Sequence, residues 1–148
     1  MSLKSRIQDD VKNAMRAHER ERLAVLRLVT AAIKQKEVDE RIELDDAQVL
    51  AVLDKMVKQR RESLEQYRAA GRDDLADREA FELDLIQTYL PEPLGEDELA
   101  ELIRNSIDET GASSIRDMGA VMNALRARVQ GRADMKAVSQ AVKNQLMG

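Results

Sequence analysis

Apolar residues return every three or four positions along nearly the whole chain. A chain with that period is confined to helices that each bury one stripe. Leu3, Ile7, Val11 and Met15 make the first run. Leu23, Leu26, Val29 or Thr30, and Ile33 make the second, with Leu28 and Ala32 widening it. No alternating strand pattern of useful length occurs. The material for a core points the same way. Aromatic residues are 2% of the 148 (Tyr67, Phe81 and Tyr89), whereas apolar content is 43%. A core of Leu, Val, Ile, Ala and Met suits helix-on-helix packing better than a β-sandwich.

Local stop and start signals divide this helical pattern. A turn is expected near His18 to Arg20, and a second in the charge-rich stretch from Glu37 to Glu43. Asp45 and Gln48 have the spacing of a capping box ahead of Val49, Leu53, Met56, Val57, Leu64 and Tyr67. Gly71 stands where a helix C-cap belongs, and Asp73 or Asp74 opens a fourth helix that Pro91 ends. Pro91 to Gly95 holds both prolines and reads as a short, stiff linker. Beyond it, Leu99, Leu102, Ile103 and Ile107 line one helix that Gly111 closes. Ser114 and Asp117 have capping-box spacing before Met118, Val121, Met122, Leu125 and Val129; Gly131 breaks that helix, and Asp134 caps a last one bearing Val138, Ala141, Val142 and Leu146. The expected fold is all-α: an N-terminal bundle of about four helices over residues 1–91, a Pro-containing linker, and a C-terminal three-helix unit over residues 96–148.

Composition excludes several function classes. There is no Cys, so disulfides, thiolate metal sites and thiol nucleophiles are ruled out. The net charge of −4 argues against a general nucleic-acid coat. The N-terminus has no long apolar run, which suggests neither a signal peptide nor a membrane span and makes a soluble cytoplasmic protein the expectation. No cofactor is expected.

Candidate sites divide into weak and informative ones. His18, the sole histidine, has no partner by spacing and reads as an exposed helix-end residue. The carboxylate pairs at Asp9, Asp39, Asp45 and Asp73 and the triplet starting at Glu96 lack the spacing of an oxygen-ligand loop, and several suit helix N-termini. Ser113, Ser114 and Ser139 lack a nucleophile elbow, and no histidine lies in their half of the chain. Lys55, Lys58 and Arg61, interleaved with Glu62 and Glu65, suggest an internal salt-bridge face.

The informative stretch runs from residue 113 to the end. Six basic residues (Arg116, Arg126, Arg128, Arg132, Lys136 and Lys143) meet only two acidic ones, Asp117 and Asp134. Such a patch either is a solvated surface or contacts phosphates, which need charge and no sequence code. Gly119 interrupts the helical pattern here at a cost of about 1 kcal/mol relative to Ala. Close helix–helix packing is the leading reason for it, and close approach of a phosphate backbone the other.

Several local strings, taken together, carry a resemblance. They are Leu26 to Val29, Ala32 to Lys34, Lys36 with Glu37, Lys58 to Arg60, Tyr67, Ala70 to Arg72, Glu79 and Tyr89 to Pro91. Gly111 to Ser113, Asp117 to Gly119, Val121 with Met122, Gly131 to Asp134 and Val138 complete the set. Over essentially its full length the chain resembles YqeY-type proteins, departing at Gly95, where that family often has a hydroxyl cap. Its C-terminal unit is similar to the helical tail of GatB, the B subunit of the glutamine-dependent aminoacyl-tRNA amidotransferase. The resemblance implies two helical units and a surface facing tRNA or another structured RNA, onto which Arg116, Gly119, Arg128, Gly131, Arg132 and Lys136 map. Arg126 and Lys143 join them on charge alone. No catalytic residue carries over, so a non-catalytic RNA-binding module is the first expectation. A carbon–nitrogen ligase activity using glutamine as amide donor is the enzymatic alternative implied by the same resemblance, and a protein-interaction adaptor is the third.

Overall fold

The computed structural model describes residues 2–147. Among them the regular structure is entirely helical, with no strand. In chain order the helices are α1 (Leu3–Arg16), α2 (Arg20–Glu40), α3 (Asp46–Ala69), α4 (Asp73–Gln87), α5 (Glu96–Thr110), α6 (Met118–Val129) and α7 (Met135–Met147). A single 3₁₀ turn, Ile115–Asp117, leads into α6. Two compact units divide the chain, Met1–Leu90 and Pro91–Gly148.

In the first unit α3 and α4 form the most extensive helix pair, joined by a three-residue turn in which Gly71 takes φ +70°. The Asp45 carboxylate accepts from the Gln48 amide at 2.9 Å while the Gln48 side chain accepts from the Asp45 amide at 2.9 Å. This reciprocal cap starts α3 where the sequence indicates. The α1–α2 and α2–α3 turns place His18 and Arg41 at positive φ, +57° and +55°. Neither is glycine, so each conformation carries strain that the flanking helices hold in place.

Ile7, Leu26, Val29, Val49, Leu53 and Ile86 are fully buried in the core of this unit. Met15 and Leu28, expected in apolar stripes, are about half exposed. Spacing explains Met15. Steps of four residues advance about 400°, so the row Leu3, Ile7, Val11, Met15 drifts about 40° per step around the helix. Ala14, a full two turns from Ile7, takes the buried position instead. Leu28 lies on the flank of α2 away from Val25, Leu26, Val29 and Ile33.

Several polar contacts tie the elements of this unit, among them the following two. The Tyr89 hydroxyl donates to the Asp10 carboxylate, and the Arg6 guanidinium lies 5.0 Å over the Tyr89 ring. Burial, followed by the hydrogen bond to Asp10, pushes the Tyr89 phenol well above its ordinary pKa. Arg60 on α3 meets Glu82 on α4 at 3.3 Å, and both side chains are nearly buried. The expected salt-bridge face at Lys55, Lys58 and Arg61 does not form: these three side chains stay exposed and make no ion pair with Glu62 or Glu65. Such pairs in water contribute only about 0.3–0.5 kcal/mol, too little to fix long side chains.

In the second unit α5, α6 and α7 pack mutually. Ile103, Val121, Leu125, Val129, Val138 and Val142 are completely buried between them. Residues 92–94 belong to this packing. The Leu94 amide donates to the Arg132 carbonyl at 2.8 Å, and Arg132 Nε donates to the Glu92 carbonyl at 2.9 Å. The segment is thereby strapped onto the α6–α7 turn.

The Arg60–Glu82 pair yields a stability test. Glu82→Ala removes the paired carboxylate from a largely enclosed guanidinium that also has Glu79 nearby, and is expected to destabilise the first unit by about 2 kcal/mol. Urea unfolding should show a lowered midpoint, and an unchanged one would mean that the pair carries no stability.

Candidate nucleic-acid interface

The basic residues of the second unit must be judged against every element that packs with them. The C-terminal stretch alone is cationic, but α5 carries Glu96, Asp97, Glu98, Glu101, Asp108 and Glu109. Counted from Pro91, the unit holds seven basic and nine acidic side chains. Which cations remain available is decided by where the helices bring these carboxylates.

Two arginines are engaged internally. Arg128 Nη2 lies 2.9 and 3.1 Å from the two carboxylate oxygens of Glu109, and Nη1 reaches the hydroxyl of fully buried Ser106 at 3.4 Å. Arg132, besides fastening Glu92, sits 3.7 Å from Glu98. Its task is structural, because it holds the 92–94 segment from both its side chain and its backbone. Gly131, at φ +75°, supplies the left-handed residue that this turn requires.

The other cations, Arg104 on α5 among them, make no ion pair among the described residues. Arg116, in the 3₁₀ turn, and Arg126, Lys136 and Lys143 are exposed, and none forms an ion pair among the described residues. Helix geometry sorts them further. Arg126 and Arg128 are about 200° apart around α6. The contacts of Arg128 with Ser106 and Glu109 turn that flank toward α5. The opposite flank holds Gly119, Met122 and Arg126 in one row and faces α7, where the Ser139 hydroxyl meets the Met122 sulfur at 4.0 Å. On α7 the matching row is Lys136, Ser139 and Lys143. Residues seven apart are separated by about 10.5 Å along a helix. Helical spacing thus puts Gly119 and Arg126 on one flank of α6 and Lys136 and Lys143 on one flank of α7, while Arg128 and Arg132 turn toward α5 and the 92–94 segment. Lys136 also donates its amide to the Asp134 carboxylate at 3.4 Å, at the start of α7.

Gly119 itself departs from the packing expectation. It is the second residue of α6, exposed, and a Cβ built on it would meet nothing within 4 Å. Internal crowding does not require a glycine here. The position lies in open space on the flank of α6 that also bears Arg126.

The entry to α6 is held by one carboxylate. Asp117 Oδ2 accepts from the Ser113 amide at 2.9 Å and the Ser114 amide at 3.2 Å. These two donors, Ser113 first, draw its pKa below the ordinary carboxylate value. Ser114 is thus part of a helix start, as its spacing suggests, and Ser139 is occupied beside Met122. Among the described residues no three His, Asp or Glu side chains gather into a metal-binding group, and no helix is long and apolar enough to cross a membrane.

A linkage test follows from Asp117. Its folded pKa lies below the unfolded value of about 3.9, so its contribution is present above that pH and is lost as pH falls through the folded value. The second unit should lose stability on acidification below about pH 4, and Asp117→Asn should flatten that part of the profile. Parallel acid profiles for the two proteins, followed by circular dichroism, would contradict the assignment.

A family model described as Yqey-like protein matches residues 4–146. Several relatives carry the name altered inheritance of mitochondria protein 41, mitochondrial. The one from Pyrenophora tritici-repentis is 30% identical over 141 residues, covering 93% of this chain and 77% of that protein. The relative from Eremothecium gossypii is 39% identical over 85 residues, covering 57% of this chain and 46% of that protein. The relative from Vanderwaltozyma polyspora is 35% identical over 85 residues, with the same coverage of 57% and 46%. In the last two, the match spans less than half of the relative's length. The expected cytoplasmic location does not stand, because these relatives are named as mitochondrial proteins.

Proposed function

The chain belongs to the YqeY-like protein family, and we propose that it works as a non-catalytic helical module that binds structured RNA, with tRNA the first candidate. Its two helical units are read as separate domains, and the C-terminal one makes the contact. One observation carries the reading: Arg126, Lys136 and Lys143 are exposed and make no ion pair among the described residues; the reading takes their flanks of α6 and α7 as one contact edge. Cations so arranged neutralise phosphates without reading bases. Scarce aromatic residues suit recognition of a folded backbone better than stacking on unpaired bases. Gly119 adds to this, since a residue with no side chain at the edge lets a sugar–phosphate strand come close.

The test is retardation of bulk tRNA on a native gel across a range of salt. Binding should weaken steeply as salt rises, and each of Arg126→Gln, Lys136→Gln and Lys143→Gln should reduce the salt slope by about one. No retardation at low ionic strength would defeat the proposal. Gly119→Ala separates stability from binding. With open space at this position and ordinary helical backbone, it should stabilise the unit by roughly 0.5–1 kcal/mol while weakening tRNA retention. A variant that is stabilised and binds unchanged would remove Gly119 from the contact surface.

A further inference from the structure

The contact between α5 and α6 carries a feature that ordinary helix packing does not ask for. Glu109 stands in the last turn of α5, with Asp108 beside it and no basic residue in that turn. A carboxylate there opposes the helix dipole, whose C-terminal end is negative. It is held by Arg128, which lies in the last turn of α6. Both partners remain accessible, with 40% of the Arg128 side chain and 52% of the Glu109 side chain exposed. Ser106, buried beneath them, takes a further hydrogen bond from Arg128 and steadies the guanidinium from below.

A guanidinium receives a carboxylate and a phosphate with the same donor geometry. The geometry points to Glu109 as an internal stand-in for a phosphate: in the free protein it occupies the donor of Arg128 that an RNA phosphate takes in the complex. This inference rests on the RNA-binding reading and adds a regulatory element to it. Binding at Arg128 is an exchange of one anion for another, with solvent screening keeping the internal pair weak enough to open. The protein therefore discriminates against isolated phosphates and weakly charged strands. An RNA already held by Arg126, Lys136 and Lys143 can displace the carboxylate.

The experiment measures binding of bulk tRNA by the full chain and by Glu109→Gln, with Asp108→Asn as a control that removes the same charge from the next residue. Glu109→Gln is expected to bind about threefold to tenfold more tightly at low salt with the same salt slope, because Arg128 meets a phosphate in both complexes and only the cost of displacing Glu109 is removed. Asp108→Asn should give a distinctly smaller gain. Arg128→Gln should cost little in the natural background and should abolish the gain when combined with Glu109→Gln. Glu109→Ala repeats the comparison if the amide variant folds poorly. Equal effects of the Glu109 and Asp108 changes would reduce the matter to net charge and overturn the inference while leaving RNA binding intact. A loss of affinity in Glu109→Gln would overturn it as well. Absence of binding by every protein, the natural chain included, would instead bring down the RNA reading itself.

Discussion

The second unit depends on the burial of aliphatic side chains along single helix stripes. Ile103, Val121, Leu125, Val129, Val138 and Val142 are wholly removed from water. Each such side chain contributes roughly 1.5–3 kcal/mol relative to exposure. No aromatic residue lies in this unit, so nothing bulky fills gaps, and the three helices must approach closely along small branched residues. That requirement turns the rest of each helix outward. It sets Arg128 against α5 and Arg126 against solvent, although the two are separated by a single residue.

The same constraint explains the modest role of charge in the architecture. The chain is 35% charged, yet the ion pairs that link helices are few, and most of them are accessible. Arg60 with Glu82 and Lys4 with Glu37 are the more enclosed cases. Lys4 Nζ lies 2.7 Å from Glu37, whose carboxylate also accepts from the Leu44 amide at 2.9 Å. That contact ties the start of α1 to the turn after α2. Elsewhere the surface charges keep the molecule solvated and leave the helices to be positioned by their apolar faces.

For function, the consequence is a division of labour among cations that look equivalent in a string of letters. Arg132 maintains the fold of the 92–94 segment, Arg128 is checked by a neighbouring carboxylate, and Arg126, Lys136 and Lys143 face solvent unopposed. Gly119 belongs with the last group by position and by the open space above it.

Helix identity and most helix ends were legible from residue types, because they are local properties, although α4 stops at Gln87 and not at Pro91 as the proline suggests. The capping pair of Asp45 and Gln48, the positive-φ glycines 71, 111 and 131, and the carboxylate of Asp117 all act within a few residues of themselves. The all-helical character follows from the apolar period, whereas the exact buried face did not: Met15 and Leu28 lie outside it because a helix turns by 100° per residue rather than by the even steps that the eye picks out. The fate of the basic cluster could not be read in the same way. Arg128 and Glu109 are 19 positions apart, and Arg132 reaches back 40 to Glu92. Electrostatic partners at such separations exist only once packing has brought the helices together, so the availability of each charge was a decision of tertiary structure.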